Sequence, residues 1–195
     1  MEADVYAYST SEGCFAGYAQ QCTPGRTFGF DTGRDFIDGL VNKTATYGML
    51  GDVNVFSHAW VYQSSFGVTH NGGFWGGGPN ASGFYGTTVT GDHADARTLA
   101  NLQTALNNWT IKLFPGRRIF LEGCHIGEIG TFVSALSTMT SRQVISACGS
   151  SSEMTDGTGH IYFSSGPENQ AELTDTDYDG WLKGATQVGG SVYAW

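Results

Sequence analysis

The stretch that most constrains this chain is Ile119-Phe120-Leu121-Glu122-Gly123-Cys124-His125-Ile126-Gly127. Ile119 to Leu121 form a short apolar run, which predicts a strand buried on both faces. Gly123 ends the run just before a cysteine, and Thr131-Phe132-Val133-Ser134-Ala135-Leu136 then reads as a helix. Cys124 is therefore expected in a tight turn at the carboxyl end of a central strand, close to a helix N-terminus. In an open parallel sheet that edge is where ligands bind, and a helix N-terminus favours thiolate over thiol. Free cysteine is often only a small buried apolar residue, but the strand-end position favours the functional reading.

The remaining segments repeat the same alternation. Asp4-Val5-Tyr6-Ala7-Tyr8 alternates as a first strand, and residues 11–30, with Gly13, Gly17, Pro24, Gly25 and Gly29, read as a loop. Asp31 or Thr32 is placed to cap a helix carrying Phe36, Ile37, Leu40 and Val41 on one face. Val53-Asn54-Val55-Phe56-Ser57-His58 is a second strand that ends in a histidine, as the other ends in a cysteine. Leu99, Leu102, Ala105, Leu106 and Trp109 share a helical face within residues 92–109. Further strands are expected at 143–149, 160–163 and 191–195. Strands alternating with helices imply an α/β fold, a mainly parallel sheet covered on both faces with right-handed crossovers.

With 195 residues, 40% of them hydrophobic, the chain can bury one full core and reads as a single domain over 1–195. A net charge of −9 opposes nucleic-acid binding and docking on an anionic membrane. No apolar run is long enough to insert into a bilayer. Met1-Glu2-Ala3-Asp4 leads straight into a strand without a secretory leader. Either the chain is cytoplasmic or it begins after a removed leader. Only 14% charged residues beside 29 glycines favours the second, a secreted or cell-surface protein. Cys14 and Cys22 bracket a short segment that a local disulfide would close. A Cys124–Cys148 pairing would instead consume the candidate nucleophile.

Residues 64–92 form a Gly/aromatic-rich insertion in which Phe66, Phe74, Trp75, Phe84 and Tyr85 are interleaved with glycines. Two readings have equal weight: an adaptable surface that stacks on a ligand, or a twisted hairpin whose aromatics fold back on the core. A phosphate loop is not expected, because no Gly-Lys-Ser/Thr follows the glycines.

If the strands before His58 and Cys124 are neighbours, their parallel direction brings both residues to one rim. A thiol beside an imidazole has the parts of a cysteine hydrolase: Cys124 attacks a carbonyl and His58 handles protons. Gly123 and the turn through His125 would aim backbone N–H groups at the oxyanion. Phe56-Ser57-His58 and Phe120-Leu121-Glu122-Gly123-Cys124-His125-Ile126-Gly127 resemble the His and Cys signatures of the caspase-like cysteine peptidases, among them caspases, gingipains, legumain, separase and CHAT domains. The chain is most similar to an uncharacterised bacterial domain family of this pattern, often found in large secreted or surface proteins. The resemblance spans roughly residues 50 to 165. It implies a three-layer αβα sandwich of the caspase-hemoglobinase type, a Cys–His dyad and a protein or peptide substrate. The family's histidine is usually followed by glycine; here Ala59-Trp60 follow, and Trp60 narrows the cleft or forms a substrate wall.

Carried over from that family, the first specificity pocket involves Ser57, Glu122 and the loop Gly149-Ser150-Ser151-Ser152-Glu153. Those segments contain no arginine, so selectivity for aspartate is not expected. Glu153 favours a basic or neutral residue at the cleaved position. Phe74 and Trp75 are further candidate substrate contacts. No cofactor is expected. Metal catalysis is disfavoured because His70, His93 and His160 are scattered and neither HExxH nor paired CxxC spacing occurs. Asp175, Asp177 and Asp179 resemble the start of a calcium loop, but Thr186 stands where its glutamate belongs. A serine hydrolase lacks its Gly-x-Ser-x-Gly elbow. The alternative function is an inactive module of the same fold that binds protein or glycan through the Gly/aromatic loop.

Overall fold

The structure is a computed structural model, and it describes residues 2–22, 25–60, 63–65, 68–70, 73–77, 83–85, 99–122, 130–148, 151–155, 161–165 and 191–194. Strand β1 (Glu2–Ser9) alternates strictly, with Ala3, Val5 and Ala7 buried on one face. Helix α1 (Gly13–Cys22) and strand β2 (Thr27–Phe30) follow. Both lie in the segment read as a loop. The glycines there suggest breaks, yet α1 forms and packs Phe15 and Ala19 inward.

Helix α2 (Gly33–Tyr47) begins where its cap residues predict. The Thr32 hydroxyl accepts from the Asp35 N–H, and the Asp35 carboxylate accepts from the Thr32 N–H, a reciprocal capping box. Phe36, Ile37 and Leu40 face the core, and Val41 packs against it. Gly48 ends the helix with φ 85°, a left-handed geometry that glycine adopts without strain.

Strand β3 (Met49–Phe56) is buried along nearly its whole length, as a central strand must be. The insertion after it is built of short antiparallel strands: β4 (Ala59–Trp60), β5 (Gln63–Ser65), β6 (Val68–His70), β7 (Gly73–Trp75) and β8 (Gly83–Tyr85). β4, β7 and β8 form one small sheet, and β5 pairs with β6. Phe74 and Phe84 stack with ring centroids 5.2 Å apart and pack on Phe36. For these two residues the core-directed reading holds. Phe74, expected among the substrate contacts, is 2% exposed and anchors this packing.

The chain continues through α3 (Leu99–Asn107), β9 (Arg118–Glu122), α4 (Gly130–Thr140), β10 (Gln143–Cys148), β11 (Ser151–Thr155), β12 (Ile161–Ser165) and β13 (Ser191–Ala194). The main sheet has the order β13-β10-β9-β3-β1-β2. Five neighbouring strands are parallel, and β13 runs antiparallel along β10. The result is an α/β fold with a mainly parallel sheet. The core beneath α2, α3 and α4 includes Val5, Val55, Ile119, Leu121, Phe132 and Val144.

The amino-terminal edge of the sheet is locked by polar contacts. The Asp52 carboxylate accepts from the Arg118 N–H at 2.7 Å, and the Asp52 N–H donates to Asp4. Arg142 is buried, and its guanidinium donates to the carbonyls of Gly51, Leu50 and Phe114. Burial lowers its pKa to about 10, while the nearby carboxylates, Asp52 foremost, oppose that shift. Among the described residues no helix is long and apolar enough to cross a membrane.

Candidate functional site

The order in which strands join the sheet reverses between β1 and β3. From β1 the chain moves outward to β2, then returns past β1 to β3 and onward to β9 and β10. Loops leaving the carboxyl ends of β1 and β3 therefore diverge, and in open α/β sheets that divergence opens the ligand crevice. The loop after β1 carries Ser11 and Glu12, and the loop after β3 carries Ser57 and His58.

His58 lies two residues beyond β3, partly exposed, and its surroundings hold the imidazole on several sides. Its Nε2 stands 2.7 Å from Glu12 Oε1. The Phe15 ring meets it edge-on, with centroids 5.2 Å apart and planes at 81°. The Trp75 ring lies 6.2 Å away, tilted by 31°. The His58 carbonyl accepts from the Trp75 N–H at 2.8 Å, so the hairpin is tied to the end of β3. The other Glu12 carboxylate oxygen accepts from the Cys14 thiol at 3.5 Å. Hydrogen bonding to His58, then to Cys14, and the attraction of the imidazole hold the Glu12 carboxyl below its ordinary range.

The turn after β7 closes over this rim. Gly76 passes so near the Asp31 carbonyl that a Cβ would collide with it, and Gly77 adopts φ +89° against the Ser11 backbone. Thr10 donates its hydroxyl to Asp31 and its N–H to the carbonyls of Phe30 and Gly76. Ser9 and Ser11 share a hydroxyl contact of 2.7 Å. The ends of β1, β2 and β7 are thereby fastened together around Glu12 and His58.

Strands β3 and β9 are adjacent and parallel, with Phe56 paired to Glu122. This is the neighbour relation that the sequence expectation for His58 and Cys124 requires. His58 follows its strand by two residues, and Cys124 stands two residues after Glu122 in the sequence. Gly123, Cys124, His125 and Ser150 lie outside the described residues, as do His93, His160 and the acidic segment 175–179. Glu122 ends β9 and Glu153 lies in β11, which pairs with β12. Trp60 belongs to β4, paired with Gly73 of β7.

Ser57, expected in the specificity pocket, is 3% exposed, and its hydroxyl faces the carbonyls of His58 at 2.7 Å and Trp75 at 2.5 Å. It pins the hairpin to β3. The local disulfide is overturned. Cys14 and Cys22 lie near opposite ends of α1. At a rise of about 1.5 Å per residue their Cα atoms stand roughly 12 Å apart, beyond the ~7 Å reach of a disulfide. Trp75 remains half-buried beside His58.

Glu12 escaped the reading of the sequence. It follows a strand in a segment taken for loop, and no local motif marks it. Its one sequence signal is position, since it leaves the first strand of a parallel sheet. Among the described residues no three His, Cys, Asp or Glu side chains converge as a metal centre requires. No protein-family model, curated protein or solved structure matches the chain.

Proposed function

We propose that the chain is a cysteine endopeptidase with a caspase-like, three-layer αβα architecture, acting outside the cell or at its surface through Cys124 and His58. The carrying observation is the pairing of β3 with β9, parallel and in register at Phe56 and Glu122. Two reactive residues remote in sequence each follow a paired strand end by the same two residues. Layering is supported by chain direction. The connections from β1 to β2 and from β2 to β3 run in opposite senses along the sheet, and the general right-handedness of such crossovers favours α1 and α2 on opposite faces.

In this reading His58 takes the Cys124 thiol proton and the sulfur bonds to the substrate carbonyl carbon. Backbone N–H groups of the turn at Gly123 and His125 receive the oxyanion. As the C–N bond breaks, His58 returns the proton to the departing amine. Water then hydrolyses the thioester, giving its proton through His58 to the leaving thiolate. Substrates are proteins or peptides, with a basic or neutral residue favoured at the cleaved position by Glu153. The burial of Phe74 and Phe84 removes two aromatics from any glycan-stacking platform in the insertion.

Thiol labelling tests the reading. At about pH 6 Cys124 is expected to react with iodoacetamide faster than a free cysteine of pKa ~8.5 would, and to slow in His58→Ala. An inert Cys124, or one found in a disulfide with Cys148, would overturn it.

A further inference from the structure

We propose that Glu12 is a positioning residue for His58, a third member of the catalytic group supplied from the loop after β1. This rests on the Cys124/His58 reading above and extends it to residues whose contacts are defined. The Glu12 carboxylate can only accept, so its 2.7 Å contact requires the proton on Nε2 of His58. In the neutral ring Nδ1 is then the basic nitrogen, free of a carboxylate and suited to take a thiol proton. Orientation is constrained as well as tautomer. Phe15 blocks one side of the ring edge-on, Trp75 lies across another, and the Trp75 N–H holds the His58 backbone.

Glu12 is itself restrained. Its carbonyl accepts from the Phe15 N–H at 3.3 Å, which ties it to the first turn of α1. Phe15, on that same turn, is 4% exposed and packs against the imidazole, so one helix start delivers both the carboxylate and the ring wall. The Cys14 thiol occupies the second carboxylate oxygen and leaves Oε1 directed at His58. A surface ion pair formed by chance would lack these supports. The pair also sits at the sheet's reversal point, where the crevice forms. Once His58 becomes an imidazolium during turnover, the carboxylate stabilises it without taking its proton, as in other carboxylate–histidine–nucleophile arrangements.

The test uses the full chain with ¹⁵N-labelled histidine, comparing wild type with Glu12→Ala and Glu12→Gln. Ring nitrogen shifts of neutral His58 are expected to report the Nε2–H tautomer in the wild type. Glu12→Ala should add an Nδ1–H population, and Glu12→Gln, whose amide oxygen still accepts, should restore the wild-type pattern. Peptide hydrolysis by Glu12→Ala is expected to lose roughly ten- to hundredfold in kcat with KM little changed, less than the ~10²–10⁴ that a general base supplies. Glu12→Gln should recover part of that loss. Identical ring shifts in wild type and Glu12→Ala would overturn the proposal, as would a loss confined to KM. A wild-type chain without peptidase activity refutes the hydrolase reading, and the nitrogen shifts still decide the role of Glu12.

Discussion

Phe74→Ala separates the two readings of the aromatic insertion. Phe74 is 2% exposed, and its ring centroid lies 5.6 Å from Phe30, 4.9 Å from Phe36, 5.2 Å from Phe84 and 6.4 Å from Phe132. Truncating a buried phenylalanine costs about 3–5 kcal/mol, and ring pairs of this geometry add roughly 0.5–1.5 kcal/mol each, although not independently. An apolar void of about 20 Å³ already lies beside the ring, lined also by Phe36, Phe84 and Leu102. The truncation enlarges a gap that the surroundings have not closed, so little relief by collapse is available. The expected loss is about 4 kcal/mol, which for a chain of this length lowers Tm by roughly 8–16 °C. Urea unfolding followed by tryptophan fluorescence measures it, with Phe74→Leu as a milder control. A loss below about 1 kcal/mol at unchanged urea slope would refute the packing argument and return Phe74 to the surface.

Arg142→Ala should destabilise the chain by about 3 kcal/mol, since it strips charged donors from three carbonyls at the amino-terminal edge of the sheet. Arg142→Lys should recover only part, because an ammonium lacks the planar fork; equal stability of all three chains in urea would contradict this. Glu12 offers a pH test. Its folded pKa lies below the ordinary 4.5, so the pair's contribution is present above that value and is lost as pH falls through the folded pKa. In His58→Ala the Glu12 midpoint, followed by carboxyl ¹³C shifts, should rise toward 4.5; an unmoved midpoint would show that His58 is not its cause.

Local chemistry alone determined much of this protein. Thr32 with Asp35 marks a helix start, Phe36, Ile37 and Leu40 mark its buried face, and Val53 to Phe56 mark a strand. These signals are readable because caps and periodicity act over a few residues. Helix α1 was not legible, because Gly13 and Gly17 resemble breaks and its packing on the sheet supplies what its propensity lacks. The sequence marked His58 as a strand end, and the pairing of β3 with β9 decided that its strand adjoins the one leading to Cys124. Only tertiary structure assigned Phe74 and Ser57 to internal packing and brought Glu12 against His58 across a sequence separation of 46. The physical reason is that composition and spacing encode which segments bury a face. Crossover direction and strand order decide which loop ends meet, and those depend on the whole sheet.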